Sequence, residues 1–250
     1  MELTASGRSE TGLRTMNQDR LQWWLDLGLF VVADGMGGHN GGEVASRLAV
    51  EAIHAFVAES AESPDITWPF GLDASCSIDV NRLTTAVRLA NRRVLGEAAR
   101  NSELAGMGTT VVAALVTGDR AALVSVGDSR IYRWRNRTLS QLTQDDTWIA
   151  SVLGREAAQA AEMTHPFRHV LTNVVGTTED ITPNSREEIL QSGDTLVMCT
   201  DGIHGRLDQA ALVGVLERAS GSDETATQLV DEAMDRGTSD NATALVINVQ

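Results

Sequence analysis

The hydrophobic pattern of the chain divides it into strands and helices of different kinds. Residues 25–34 (LDLGLFVVAD) read as a hairpin feeding a buried strand, with 29–33 uninterrupted apolar. Glycine-rich sequence follows, and then Ala45, Leu48, Ala49, Ala52, Ile53 and Phe56 recur at helical spacing as one apolar face. Residues 61–78 carry Pro64, Pro69 and Gly71 and read as a loop. Leu83, Val87, Ala90, Val94 and Ala98 mark the stripe of a second amphipathic helix. Two apolar runs, 109–116 and 121–126, are joined by Thr117-Gly118-Asp119-Arg120, a hairpin signal, and 131–134 continues the sheet. Residues 143–184 mix short helical stretches, polar loops, Pro166 and Pro183, and predict an irregular surface insertion. Regular structure resumes with a strand at 195–199, helices near 208–217 and 223–236, and a last strand at 242–249.

Strands and helices come in runs and do not alternate as βαβ units. The regular crossovers of a doubly wound parallel sheet are absent, and antiparallel sheets covered by helices, an α+β layered sandwich, fit the order. With 250 residues and no internal repeat, one domain spanning 1–250 is expected.

Charge narrows the chemistry. The chain holds 34 acidic residues against 20 lysines and arginines, a net charge of −14. That balance speaks against a general role on nucleic acid, which needs a basic face. An acidic protein also repels a phosphorylated substrate unless its site supplies local positive charge, as bound metal ions do. The two cysteines, Cys76 and Cys199, match no metal or redox spacing, which favours a reducing compartment. Residues 1–20 are polar with no apolar signal region, and no stretch approaches a membrane span, so a cytoplasmic protein is expected, with no membrane partner.

Aspartates stand at the ends of the apolar runs. Run 29–33 ends in Asp34-Gly35, run 123–126 leads through Gly127 into Asp128, run 196–200 ends in Asp201-Gly202, and Asp240-Asn241 precedes the last strand. In an antiparallel sheet the start of one strand lies beside the end of the next, so these four carboxylates can meet at one edge. A lone Asp-Gly is ordinarily a turn. Four at equivalent strand ends exceed what turns require, and such a cluster needs neutralising. Magnesium, manganese and calcium ions suit carboxylate, carbonyl and water oxygens, and paired divalent ions hydrolyse phosphate esters. The loop 35–42 lacks the Lys-Ser/Thr of a nucleotide-binding P-loop, and its glycines fit close backbone approach to a metal, with a glycine carbonyl as ligand.

Six segments then match a known family in order along essentially the whole chain. They are Arg14-Thr15-Met16-Asn17-Gln18-Asp19, Val32-Ala33-Asp34-Gly35-Met36-Gly37-Gly38-His39, Gly106-Met107-Gly108-Thr109-Thr110, Gly127-Asp128-Ser129-Arg130, Thr200-Asp201-Gly202 and Ser239-Asp240-Asn241-Ala242-Thr243. The chain resembles the bacterial metal-dependent serine/threonine protein phosphatases, the PPM or protein phosphatase 2C group. The resemblance implies a central antiparallel β-sandwich flanked by pairs of helices, in four αββα layers, with a flap at about 143–184. It implies two to three divalent ions, Mn2+ or Mg2+, and hydrolysis of phosphoserine and phosphothreonine on proteins by a metal-activated water. Asp34 matches the aspartate bridging two metals, and Asp201 and Asp240 match the ligands of the first. The Gly35 carbonyl and Asp19 match the surroundings of the second, and Asp128 with Asp201 matches a third site. Arg14 matches the guanidinium that holds the substrate phosphate. Phosphorylated proteins and a cognate Ser/Thr kinase are the implied partners, and the chain is expected to act as a monomer.

Some positions depart from the family. Met36 stands where animal and plant members often carry a histidine general acid, which leaves the source of the leaving-group proton open. Gln18 stands where some relatives have glutamate, implying a more loosely held second metal. His39, His165, His169, Trp148, Ser129 and Arg130 are read as loop, flap or turn residues. The competing readings are a metal-free binding module, which predicts replaced aspartates, a phosphodiesterase or nuclease, which needs a basic groove, and a phosphatase for small metabolites.

Overall fold

The computed structural model describes residues 1–38, 41–63, 66–153 and 170–250. His39, His165 and His169, with Pro64 and Pro166, lie outside the described residues. Two antiparallel sheets stack face to face. The first has the order β1 (Leu3–Glu10), β11 (Ala242–Val249), β10 (Thr195–Cys199), β7 (Arg130–Arg135), β8 (Thr138–Gln141). The second has the order β2 (Asp19–Trp24), β3 (Leu29–Met36), β5 (Val111–Thr117), β6 (Arg120–Val126), β9 (Asn184–Ile189), with the short β4 (Gly108–Thr109) pairing the end of β3.

Period-two alternation sorts the side chains into three cores. On β3, Phe30 and Val32 face the other sheet, while Leu29, Val31 and Ala33 face helices. On β11, Leu245, Ile247 and Val249 face between the sheets, and Ala242, Ala244 and Val246 face the opposite way. Helices α1 (Gly41–Glu62) and α2 (Ile78–Arg100) cover the second sheet through Ile53, Phe56, Leu83 and Val87. Helices α5 (Gln209–Arg218) and α6 (Gly221–Asp235) cover the first through Leu212, Val215, Leu229 and Val230, joined by Ile203 of the one-turn helix α4 (Asp201–His204). The result is the expected α+β sandwich of four layers, αββα. The central strands read as unbroken apolar runs because both of their faces are buried.

Local signals place the helix starts. Ser77 caps α2 by accepting from Val80 N at 3.3 Å, and Asp208 caps α5 by accepting from Ala211 N at 2.9 Å. Gly118, at φ 64°, closes the β5–β6 hairpin where a residue with a Cβ would be strained.

The structure differs from the sequence reading at the sheet edges. β1, β8 and β9 are strands that the apolar pattern does not announce, and β1 lies within the N-terminal segment read only as polar. All are edge strands with partly exposed side chains, so backbone pairing defines them more than side-chain pattern does. The segment 143–184 holds the helix α3 (Trp148–Leu153) and is otherwise irregular where described up to β9, but it is not confined to the surface. Val175 pairs with Thr109, and Val175 and Ile181 are buried in the core beneath α1 and α2. Asn91 of α2 holds this strap, donating to the carbonyls of Thr178 (2.9 Å) and Glu179 (3.0 Å) and accepting from Gly176 N (2.7 Å). Trp148, read as a flap residue, is 40% exposed. Neither Cys76 nor Cys199 is in a disulfide.

Candidate metal centre

The alternation that builds the inter-sheet core also builds the site at its mouth. Asp19, opening β2, pairs in register with Asp34 on β3, so both carboxyls lie on the face that Phe30 and Val32 present to the other sheet. The other sheet supplies Thr243, in phase with Leu245, and Thr200, in phase with Met198. Both threonines meet Asp19: its Oδ2 accepts from Thr243 Oγ1 at 2.6 Å and from Thr200 Oγ1 at 2.9 Å. Because Thr243 spends its hydrogen on Asp19, its oxygen accepts from Ser9 Oγ (2.6 Å), which in turn accepts from Asn17 Nδ2 (2.8 Å). Asp19 thus bridges the sheets by one oxygen. Its other oxygen, Oδ1, is buried without a hydrogen-bond donor among the described residues.

Asp34 is fixed through its backbone. Its N–H donates to Thr110 Oγ1 (3.2 Å), and its carbonyl accepts from Thr110 N (2.8 Å) and Thr109 Oγ1 (2.9 Å). Thr110 Oγ1 lies 2.7 Å from Ser129 Oγ, which ties Asp34 to the β6–β7 turn carrying Asp128. Gly35 donates its N–H to the Gln18 carbonyl at 3.2 Å, and a Cβ on it would overlap the carbonyl of Gly42. Only glycine permits the chain to pass there.

Asp201 begins α4, directly after β10, and Asp240 lies just ahead of β11, the neighbouring strand. A Cβ at Gly202 would overlap the Asn241 carbonyl, so that glycine lets the two ends close up. Asn241, buried, accepts from Gln18 N (2.8 Å) and donates to the carbonyls of Thr11 (2.9 Å) and Met16 (3.0 Å). This staples the loop carrying Arg14 over the site, where Arg14 Nη2 lies 2.7 Å from Asp240 Oδ2. Asp128 is buried, with its carbonyl 3.1 Å from His204 Nε2. Behind it Arg130 makes a bidentate pair with Asp145 (shortest contact 2.6 Å) and donates to Tyr132 Oη at 3.0 Å.

The electrostatics show that these carboxyls share one field. Burial pushes Asp34 well above the usual carboxylate range, and the charges of Asp19, Asp201, Asp128 and Asp240 push it further. Asp128 is raised in the same way by burial and then by Asp201 and Asp145, with Arg130 opposing. Asp19 is pushed up to about 7 by burial, against the hydrogen bonds from Thr243 and Thr200. Arg14 is held more firmly protonated, first by its hydrogen bond to Asp240 and also by the charges of Asp201 and Asp34.

Among the described residues, no three Asp, Glu, His or Cys side chains are drawn in closely enough to hold an ion as they stand. The five aspartates line a mouth and do not converge on one point. The residues nonetheless fit divalent cations in two respects. Asp19 Oδ1 is a buried oxygen with no donor, and the remaining groups are oxygen donors of the kind that hard cations take. Of the residues singled out by sequence, Asp19, Asp34, Asp128, Asp201 and Asp240 come together, Gly35 lies beside Asp34, and Arg14 closes over Asp240. The sequence reading missed Thr200, Thr243, Asn241 and His204. The first three sit inside the quoted motifs, and the alternation of β10 and β11 was the signal that turns both threonines inward.

The family model of protein phosphatase 2C matches residues 6–237. The chain is 31% identical over 250 residues to the serine/threonine protein phosphatase PstP of Mycobacterium tuberculosis, covering 99% of this chain and 45% of that protein. It therefore spans about half the length of that curated relative. It is 30% identical over 228 residues to the serine/threonine phosphatase stp of Listeria welshimeri, covering 88% of this chain and 83% of that one. Its fold superposes with a TM-score of 0.81 and 30% identity on the crystal structure of the PstP catalytic domain in complex with two manganese ions, covering 99% of each chain. The chain belongs to the protein phosphatase 2C family.

Proposed function

We propose that the chain removes phosphoryl groups from serine and threonine side chains of proteins, using two to three Mn2+ or Mg2+ ions held at the mouth of the sandwich. The observation that carries this is the carboxyl cluster itself: Asp19, Asp34, Asp128, Asp201 and Asp240 from both sheets share one field, with a buried oxygen of Asp19 lacking any donor. Such a set is unfavourable alone and favourable around cations. Asp34 would bridge two ions, Asp201 and Asp240 would complete one, the Gly35 carbonyl and Asp19 would serve the other, and Asp128 with Asp201 would form a third site. The ions supply charge neutralisation, activation of a water for attack on phosphorus, and stabilisation of the phosphoryl oxygens.

The chain's own groups do the rest. Arg14 is 59% exposed and, among the described residues, held by one carboxylate, so its fork is placed to leave Asp240 for an incoming phosphate. Thr200 and Thr243 orient Asp19, and Thr109 and Thr110 fix the backbone of Asp34. Met36, 40% exposed, has no proton to give a leaving alkoxide. His204 already contacts the Asp128 carbonyl.

Phosphorylated proteins are the substrates in this reading, with a Ser/Thr kinase as the opposing enzyme and the chain acting as a cytoplasmic monomer. None of the described helices is long and apolar enough to cross a membrane. The test is an assay with manganese or magnesium on a phosphothreonine peptide, a phosphotyrosine peptide and a dinucleotide diester. Cleavage of the phosphothreonine peptide, abolished by chelator, is expected; cleavage of the diester alone overturns the reading.

A further inference from the structure

The outer surface of α2 carries a second arrangement suited to phosphoryl chemistry, away from the aspartate cluster. Arg88 and Arg92, one helical turn apart, both place their guanidinium groups over the ring of Phe70, at 5.6 and 4.3 Å from its centroid. With Phe70, Asn91, Glu179, Asp180 and Ile181 they line a cavity of about 240 Å3. The other arginines of this helix are matched: Arg82 pairs with Asp79, Arg93 with Glu51 at 2.7 Å, and Arg100 with Glu97 at 3.9 Å. Among the described residues, Arg88 and Arg92 contact no carboxylate as ion pairs, although the chain carries a net charge of −14.

The placement of both cations over one aromatic ring explains what these two arginines are prepared for. A guanidinium attracted to the π face of an aromatic ring spends none of its N–H edges on an acceptor. Those edges form the bidentate fork that matches phosphoryl oxygens. The pocket wall is firm, because both amide hydrogens of Asn91 are already committed to the carbonyls of Thr178 and Glu179. Asn91 therefore shapes the cavity and adds no donor, which leaves recognition to the arginine pair. Glu179 and Asp180, exposed and lining the same cavity, oppose an anion and moderate its affinity.

We propose that this cavity is a binding site for a phosphoryl oxyanion, separate from the carboxylate centre. Its occupant is either free inorganic phosphate or a phosphoryl group carried on a peptide, and the two share the chemistry that the arginine fork reads.

The experiment titrates the protein with inorganic phosphate, and separately with a phosphothreonine peptide, by isothermal calorimetry in the presence of chelator. Without cations the readout is independent of turnover, so it stands or falls apart from the proposed phosphatase activity. Binding is expected in the wild type and in Arg14→Ala. It weakens at least about tenfold in the Arg88→Ala/Arg92→Ala double variant, as the loss of charge-assisted hydrogen bonds requires. Arg88→Lys/Arg92→Lys, which keeps the charges and loses the forks, is expected to bind between the two. Glu179→Gln/Asp180→Asn is expected to bind tighter than wild type. Tighter binding of the peptide than of phosphate identifies a protein-borne group as the occupant, and the reverse identifies the free ion. No binding by either probe, or binding untouched in the double alanine variant, overturns the proposal and leaves the two arginines as covers for Phe70.

Discussion

Replacing Asp19 by asparagine separates the two demands on the carboxylate cluster, stability without cations and affinity for them. In the fold, burial pushes Asp19 up to about 7, whereas an unfolded aspartate titrates near about 4. Below pH 4 both states hold the proton and there is no penalty. Between the two values the folded state binds the proton and the unfolded state does not, so stability falls as pH rises and is lost in full above about 7. The difference of about 3 pH units corresponds to about 4 kcal/mol as an upper bound, at about 1.4 kcal/mol for each. Asparagine removes this cost with little steric change. Its oxygen can take the Oδ2 place and accept from Thr200 and Thr243, while its amide takes the place of the undonated Oδ1 and faces Asp34. With chelator present, Asp19→Asn is therefore expected to be more stable than wild type at pH 8 and equal to it near pH 4. At this chain length each kcal/mol moves Tm by about 2–4 °C, so the gain at pH 8 is several degrees. With manganese the order reverses, because cation binding stabilises the wild type and needs the ionised carboxylate. Thermal denaturation of both proteins at the two pH values, with chelator and with manganese, is the assay. A chelated variant no more stable than wild type at pH 8, or a gain equally large at pH 4, refutes the reasoning.

Other substitutions test the remaining parts of the site. Asp201→Ala and Asp240→Ala should each lower kcat/KM on a phosphothreonine peptide by more than about 100-fold, beyond the cost of losing an outer partner of a ligand; full activity in either contradicts its assignment as a ligand. Arg14→Ala should raise KM for the peptide by about tenfold, the worth of a charge-assisted pair. Its manganese affinity should not weaken, since the substitution frees Asp240, and a calorimetric loss of cation binding contradicts the phosphate role. Thr243→Val removes the 2.6 Å donor to Asp19 and the acceptor for Ser9 at a fully buried position. Urea denaturation should show a loss of about 1–3 kcal/mol, and an unchanged midpoint argues that the Asn17–Ser9–Thr243–Asp19 chain carries no weight.

The sequence by itself determined the centre of this protein. β10 and β11 have the bounds that their apolar runs predict, and α1 and α2 bury the faces that their spacing marks. These elements are covered on both sides or on one wide face, so burial writes itself into the pattern of residues. The aspartates were legible for a related reason. They stand where apolar runs stop, and antiparallel pairing brings such stops together at one edge. Tertiary structure alone decided the edges and the supports. β1, β8 and β9 are strands because a neighbour offers backbone pairing, and polar segments such as NSREEI carry little of that information in their side chains. Val175 and Ile181 lie in a segment that looks like surface loop, and they enter the core where Asn91, remote in sequence, holds the backbone between them. The pairing of Arg14 with Asp240 and of Asp19 with two threonines joins residues more than 180 positions apart. No local pattern specifies which donor meets which oxygen across such a distance; the register between the strands and the stacking of the two sheets do.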